Sequence, residues 1–292
     1  MGLTVRERLL QAAKYLRDKG AFSPRLDAEV LLAHVLGRDR VYLYREASLV
    51  LNADSERIYQ ALLERRACGE PVAYLTGHKE FMGLDFAVGP HVLIPRPETE
   101  LLVEKALAIL ATWPGQRLAV DVGTGSGAIA VSLANMAPAG TVVHAIDISP
   151  QALEIARANA LRHGIEVVFH RGDLLAPLQG VLAPGSVTVI TANLPYIPSN
   201  AMAGLPRDVR NYEPALALDG GSDGLDVYRR LIPQAETWLS PGGQLLMEIS
   251  PEQAEQALAL LSPPHWLAGA YQDLSGRPRL ICGFKQSEHL PD

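Results

Sequence analysis

The first seventy residues place their hydrophobic positions at helical spacing only. Thr4-Val5-Arg6-Glu7 fits a capping box, followed by Leu9, Leu10, Ala13 and Leu16 on one face and by Gly20 as a stop. Ser23-Pro24 supplies the N-cap and first position of a second helix that Gly37 closes. Leu26, Val30, Leu31, Val35 and Leu36 form its expected apolar face. Helical patterns over 41–46 and 54–67 complete a small bundle whose charged residues are expected on solvated faces. Gly69-Glu70-Pro71 breaks the pattern, and 80–88 alternates about Gly83 as a β-hairpin. A loop then holds Arg96 between Pro95 and Pro97 and runs into a helix over 98–111.

From Leu118 the period switches back and forth between strand and helix, the mark of a doubly wound parallel sheet. Strands are expected over 118–122, 141–146, 167–170 and 186–191, then 243–249 after the Pro241-Gly242-Gly243 turn, with two more over 267–272 and 279–284. Helices are expected over 128–135, from Ser149-Pro150 to Gly164, over 224–239 and over 251–261. The resulting organisation is a helical domain at 1–70, a hairpin and linker at 71–100, and an α/β domain at 101–292. A chain of 292 residues, 48% of them hydrophobic, is long enough to bury a sizeable core and to hold two domains.

Composition narrows the chemistry. No apolar run approaches the length of a membrane span, and the charged N-terminus lacks the apolar centre of a signal peptide. Cys68 and Cys282 lie far apart without metal-ligand spacing, which fits a reduced, cytoplasmic enzyme without a metal. The net charge of −6 is uneven: residues 1–90 hold 13 Lys/Arg against 12 Asp/Glu, and residues 91–292 hold 13 against 20. An acidic second half favours a basic partner over direct contact with nucleic acid.

The candidate chemistry sits at strand ends, where open α/β sheets bind ligands. Asp121-Val122-Gly123-Thr124-Gly125-Ser126-Gly127 turns the first strand of the sheet into a helix. Its glycine spacing differs from G-x-G-x-x-G, and no Gly-Lys-Ser/Thr follows, so a P-loop is excluded. Such a turn lets backbone approach a ligand closely. Asp121 beside it suits a cationic group such as the ammonium of S-adenosylmethionine better than a pyrophosphate. Asp147, with Ile148 after it, ends the second strand and is placed to bond two ribose hydroxyls. Enzymes using NAD and those using S-adenosylmethionine share that feature. Asp173 ends the third strand, placed to accept an adenine amino group while Leu174 packs on the ring. Each aspartate taken alone also fits a strand-end turn or a helix N-cap. Asn193-Leu194-Pro195-Tyr196 closes the fourth strand. The Asn193 amide oxygen and the Leu194 carbonyl suit the two hydrogens of a planar nitrogen, with the Tyr196 ring over the plane. Pro195 keeps Leu194 out of the α region. In this order the assembly reads as a Rossmann-like methyltransferase.

The chain resembles the PrmC/HemK family of peptide chain release factor glutamine methyltransferases over nearly its whole length. The resemblance is carried by Arg25-Leu26-Asp27-Ala28-Glu29, by Leu93-Ile94-Pro95-Arg96-Pro97-Glu98-Thr99-Glu100, and by Asp121 through Gly127. It continues in Asp147-Ile148-Ser149-Pro150 and in Tyr212-Glu213-Pro214-Ala215-Leu216-Ala217-Leu218-Asp219-Gly220-Gly221. It implies a five-helix N-terminal domain that recognises the substrate, a seven-stranded catalytic domain, and S-adenosylmethionine as donor, with S-adenosylhomocysteine as product. The implied acceptor is the glutamine of a Gly-Gly-Gln loop in class I release factors. Carried over by position, Gly123, Thr124, Gly125, Ser126, Gly127, Asp147, Ile148, Asp173, Leu174 and Asn193 hold the donor. Arg96, Asn193, Leu194, Pro195 and Tyr196 hold the acceptor, with Asn193 and Tyr196 catalytic. A monomer without metal, membrane or direct nucleic-acid contact is expected.

Two departures stand out. The family has Asn-Pro-Pro-Tyr, whereas Leu194 here brings an N–H and a larger side chain in place of the fixed φ of proline. Asn-Leu-Pro-Tyr resembles the ribosomal-RNA adenine dimethyltransferases, so an adenine-amino methyltransferase is one alternative. A non-catalytic S-adenosylmethionine-binding interaction protein is another. Glu248-Ile249-Ser250 replaces the usual Glu-Ile-Gly.

Overall fold

The computed structural model describes residues 2–286. Helix α1 (Val5–Asp18) opens on the expected capping box, with Glu7 N donating to Thr4 Oγ1 at 3.3 Å and Thr4 N to Glu7 Oε2 at 2.9 Å. Helix α2 (Pro24–Leu36) starts on its proline and ends at Gly37 in the left-handed region. Helices α3 (Arg40–Arg45), α4 (Ala53–Ala67) and α5 (Val72–Thr76) follow. Asp39 and Asn52 cap α3 and α4, each accepting a backbone N–H at 2.8 Å. Their shared core contains Val5, Leu16, Leu31, Leu32, Leu63 and Tyr59, whose hydroxyl donates to the Ala28 carbonyl at 2.9 Å.

Two expectations for these helices are corrected. Helix α2 turns Ala28, Leu31 and Leu32 inward and leaves Leu26 exposed. The charges are not all solvated either, since Arg8, Asp27 and Glu29 are buried. Glu29 accepts from Arg25, Arg40 and Tyr44, and Asp27 accepts from Arg66 at 2.7 Å. Hydrogen-bonded ion pairs of this kind offset the desolvation of a carboxylate. Apart from Arg25, which shares α2 with Glu29, the partners lie on other helices, where a helical period cannot announce them.

Strands β1 (His78–Phe81) and β2 (Leu84–Ala87) pair about Met82-Gly83, both at positive φ. A 3₁₀ turn at Pro97–Thr99 leads into α6 (Glu100–Thr112). The alternating part then reads β3 (Leu118–Val122), α7 (Ala128–Met136), β4 (Val142–Asp147), α8 (Pro150–His163), β5 (Val168–Arg171) and β6 (Val187–Ala192). After β6 come α9 (Arg207–Tyr212), α10 (Asp226–Trp238), β7 (Leu239–Glu248), α11 (Ala254–Ala259), β8 (Trp266–Gln272) and β9 (Pro278–Lys285). The seven-stranded sheet has the order β5-β4-β3-β6-β7-β9-β8. β5 through β7 run parallel, and β9 is antiparallel to both of its neighbours. This is the α/β, Rossmann-like sheet that the strand pattern implied.

Alternation along β3 assigns the two faces. Leu118, Val120 and Val122 join a core with Tyr228, Leu231 and Trp238 of α10, while Ala119 joins one with residues of α6 and α7. The order reverses between β3 and β6, so the crevice of an open sheet falls at their carboxyl ends.

Some boundaries differ from the pattern. The helix expected over 251–261 is a 3₁₀ turn at Pro251–Gln253 followed by α11. β7 begins at Leu239 and carries Pro241-Gly242-Gly243 within it, with a register shift opposite Val187/Val189. The helical stretches Ser199–Gly204 and Arg207–Tyr212 had no counterpart in the pattern.

The chain divides into two compact units. One runs to His78 and takes in Leu205–Tyr212; the other comprises Lys79–Gly204 and the chain from Glu213 onward. Within the first, Tyr212 donates its hydroxyl to the Cys68 carbonyl at 3.3 Å.

Candidate active site

The carboxyl ends of β3, β4, β5 and β6 open on one cavity of about 320 Å³, within the size range of small-molecule sites. Gly123, Thr124, Gly125 and Ser126 form one wall. Their path is fixed by backbone bonds, Gly123 N and Thr124 N both donating to the Ile146 carbonyl at 2.9 and 3.0 Å. Gly123, Gly125 and Gly127 all have positive φ. At Gly123 a Cβ would stand 2.7 Å from Leu194 Cδ2, so glycine is needed there for conformation and for space alike. Gly127 is not in the wall; it caps α7 and lets α8 approach, with Ala156 Cβ 3.1 Å from where its own Cβ would be.

Asp147 lines the cavity beside Ile148. Its Oδ2 accepts from Gly125 N at 2.8 Å and its Oδ1 from Ser149 N at 2.9 Å. Burial nonetheless holds its carboxyl above the ordinary value, the amides of Ser149, Gly125 and Ile148 pulling it down. Asp121 is completely buried. Its Oδ1 accepts from Thr191 at 2.9 Å, while its Oδ2 and the Thr124 hydroxyl are buried without a hydrogen-bond partner. Burial pushes this carboxyl up to about 7. Of these two groups only Thr124 lines the cavity, and Asp121 lies behind the wall.

Asp173 and Leu174 line the far side. Leu174 is buried at positive φ, and Asp173 is ion-paired with Arg230, a wall residue the strand pattern did not point to. Arg96 is also in the wall, with its guanidinium paired to the buried Glu213 carboxylate. Glu213 accepts from Ile94 N as well, at 3.2 Å, which fastens the proline-flanked loop.

Asn193, Leu194 and Pro195 complete the wall where β6 ends. Asn193 Nδ2 donates to Thr99 Oγ1 at 3.1 Å, which leaves Oδ1 as the acceptor of that amide. The N–H that Leu194 has and proline would lack donates to the Tyr228 hydroxyl at 3.3 Å. Tyr228 is fully buried, and its hydroxyl also lies in bonding range of the Ala192 carbonyl at 3.2 Å and of the Glu248 carbonyl. Tyr196 lies behind the wall, its hydroxyl on Glu248 Oε1 at 3.3 Å. Gln253 Nε2 donates to the Tyr196 and Asp223 carbonyls at 2.8 and 3.0 Å, and Gln253 Oε1 accepts from Ser250 N at 3.0 Å. Gly224, at φ +81°, leaves room for the Tyr196 carbonyl. Asn159, fully buried on α8, bonds Ser126 O at 2.8 Å and both backbone groups of Ala87.

The sequence motifs and the cavity therefore coincide at four strand ends. Thr99, Glu213, Tyr228, Arg230, Glu248, Asn159 and Gln253, which brace those motifs, lie outside them. Among these, Thr99 and Glu213 stand inside the stretches that carry the family resemblance, and Glu248 opens the Glu-Ile-Ser set against the family's Glu-Ile-Gly.

Comparison with known proteins agrees with this geometry. Residues 7–77 match the PrmC N-terminal domain, and residues 118–268 match a methyltransferase domain. A release factor glutamine methyltransferase of Moorella thermoacetica is 45% identical over 98% of this chain and 100% of its own length. The protein of the same name from Geobacter sulfurreducens is 42% identical over 96% of each. Among solved structures, a methyltransferase from Pyrococcus furiosus shares the fold at a TM-score of 0.51 and 20% identity, covering 80% of this chain and 100% of that one. With identities above 40% over nearly its full length, the chain belongs to the family of release factor glutamine methyltransferases.

Proposed function

We propose that this enzyme transfers a methyl group from S-adenosylmethionine to the side-chain amide nitrogen of the glutamine in the Gly-Gly-Gln loop of class I peptide chain release factors. The observation that carries the reading is Asn193-Leu194-Pro195 on the wall of a glycine-lined cavity, in a chain of this family. The residues fit the donor. Gly123 through Ser126 offer backbone at close range and Asp147 keeps acceptor capacity toward ribose hydroxyls, with the Asp121 carboxyl buried behind that wall. Ile148 and Leu174 supply apolar cover for an adenine ring, with Asp173 at its edge and Gly127 holding the loop in place. When bound, the donor supplies an electrophilic methyl on a sulfonium.

The chain's own part is to make a weak nucleophile attack in line. An amide nitrogen is a poor nucleophile because its lone pair is delocalised. Asn193 Oδ1 and the Leu194 carbonyl accept its two hydrogens, which orients the nitrogen and stabilises the charge that develops on it. Pro195 and Arg96 shape the space around the amide, with Tyr196 behind them. No general base is needed, because the nitrogen becomes acidic once methylated and gives up its proton to water. The helical unit holds the body of the factor, and the acidic second half of the chain complements a basic partner. The protein acts in the cytoplasm as a monomer, without metal and without contacting nucleic acid. Among the described residues, no helix is long and apolar enough to cross a membrane.

The test is incorporation of labelled methyl into a release factor, into structured RNA, and with neither. Mass spectrometry is expected to place one methyl on the loop glutamine, and replacing that glutamine to abolish it. Asn193→Ala should keep the donor bound and lower the rate by at least about 10²-fold. A methyl on adenine, or incorporation that persists without the glutamine, would refute the assignment.

A further inference from the structure

Glu248 ends β7, at the sheet edge that carries Asn193 and next to the strand that delivers it. It is 2% exposed, and its Oε2 is buried without a hydrogen-bond partner. Its Oε1 takes the Tyr196 hydroxyl at 3.3 Å. Thr99, itself 4% exposed, stands near this carboxyl, and Thr99 Oγ1 is the atom that accepts from Asn193 Nδ2. Tyr196 thus reaches this carboxyl directly, and Asn193 reaches the hydroxyl near it.

We propose that Glu248 is a positioning residue for methyl transfer, holding Tyr196 directly and Asn193 through Thr99. The proposal rests on the functional reading above and deepens it. Its logic is the direction of the hydrogen bonds. A hydroxyl has one proton to give. Thr99 accepts from Asn193, so its own proton must go to another acceptor, and Oε2 is a buried acceptor in need of one. An ionised Glu248 takes protons from Thr99 and Tyr196 together. All donors then point away from the cavity, and Asn193 is fixed with Oδ1 toward the incoming amide. Were the chain reversed, Asn193 could turn its NH₂ outward, and an NH₂ group cannot accept an acceptor's N–H.

Burial pushes the Glu248 carboxyl up to about 7; Thr99, Arg279 and Tyr196 pull it down and Glu98 pushes it up. The groups facing it are therefore Glu98 and Thr99 from the turn before α6, Tyr196 from the β6 exit and Arg279 from β9. Tyr228 from α10 reaches only its backbone carbonyl. Since the ionised form sets the direction, the rate should rise with pH through this titration.

The experiment compares wild type with Glu248→Gln, Thr99→Val, Thr99→Ser and the Gln/Val double variant. Methyl transfer to a Gly-Gly-Gln peptide is followed by mass spectrometry, and donor affinity by calorimetry. Glu248→Gln keeps the shape but puts a donor where an acceptor is required. It should lower kcat at least about ten-fold at unchanged donor affinity and remove the rise in rate with pH. Thr99→Val should match it, Thr99→Ser should recover most of the rate, and the double variant should be no worse than the weaker single one. Losses that multiply, or a Glu248→Gln enzyme within about two-fold of wild type with the same pH profile, would overturn the proposal. If Glu248→Gln fails to fold, the Val/Ser pair at Thr99 decides alone, with equal rates counting against it. A wild-type enzyme that binds the donor yet leaves the glutamine unmodified would instead sink the functional reading.

Discussion

Gly123→Ala is the most exacting test of how the glycine turn and the Asn-Leu-Pro-Tyr segment fit together. Gly123 has φ +72°, and an added Cβ would stand 2.7 Å from Leu194 Cδ2. Two costs follow. Placing a Cβ in the left-handed region costs about 1–2 kcal/mol, and crowding the Leu194 side chain, which borders the cavity, costs up to about 1–3 kcal/mol more. The single variant should therefore lose on the order of 2–5 kcal/mol. Leu194→Ala deletes the atom in the way and alone costs about 2–5 kcal/mol, since Leu194 is 5% exposed within the core. In the double variant the overpacking disappears, leaving the φ cost at position 123 added to the loss from Leu194→Ala. The pair should thus be less destabilised than the sum of its members by about 1–3 kcal/mol. Gly164→Ala is the control, with φ +66° and nothing within 4 Å of its Cβ, so it reports the backbone cost alone in the same unit. Urea denaturation of the five proteins measures all of these terms. Additivity within about 0.5 kcal/mol would show that Leu194 is not what excludes a side chain at Gly123, and the proposed seating of Leu194 would fall.

Asp147→Ala should weaken S-adenosylmethionine binding by roughly 2–4 kcal/mol, from two charge-assisted bonds of incomplete additivity; unchanged affinity by calorimetry would place the ribose elsewhere. Tyr228→Phe strands the Leu194 N–H in the core and should cost about 1–3 kcal/mol, part of which Leu194→Pro should return by deleting that N–H; a Tyr228→Phe protein as stable as wild type would refute this. His144 and His170 lie with parallel rings and Nδ1 and Nε2 at 2.8 Å, and burial lowers both pKa values below 6.5. The unfolded chain then binds more protons below pH 6.5, so the pair's contribution is present above that pH and is lost as pH falls through the folded values. Asp121 and Glu248, raised to about 7, act with the opposite sign over the same range, so the difference between wild type and His170→Gln isolates the pair. An unchanged slope of stability against pH in His170→Gln would count against it.

What the sequence reveals of this site is the part that local physics marks. Glycines at close spacing, carboxylates at strand ends and a proline after Leu194 leave signals within a few residues, and all of them meet at one sheet edge. The bracing leaves none. Glu248 meets Tyr196 across 52 positions, Asn193 meets Thr99 across 94, and Arg96 meets Glu213 across 117. Nothing near Glu248 distinguishes a strand-end carboxylate that is buried from one that faces water. For the same reason Asp27 and Glu29 read as solvated on a helix whose neighbours in fact neutralise them. Ser199–Gly204 and Arg207–Tyr212 are missed for another reason: segments this short carry too few positions for a period to show.

The return of Leu205–Tyr212 to the first unit bears on how the protein is made. A ribosome finishes the first five helices early, yet the last piece of their unit emerges only after the whole of Lys79–Gly204 has been synthesised. At roughly 5–20 residues per second that wait is on the order of ten seconds. During it the Cys68 carbonyl has no Tyr212 hydroxyl to bond, and Arg207 is absent from beside Gly69. The nascent bundle must therefore hold on its own core of Leu16, Leu31, Leu32 and Leu63 until translation closes it. A stalled chain released before residue 212 would carry an incomplete bundle, open to proteases at the end of α4.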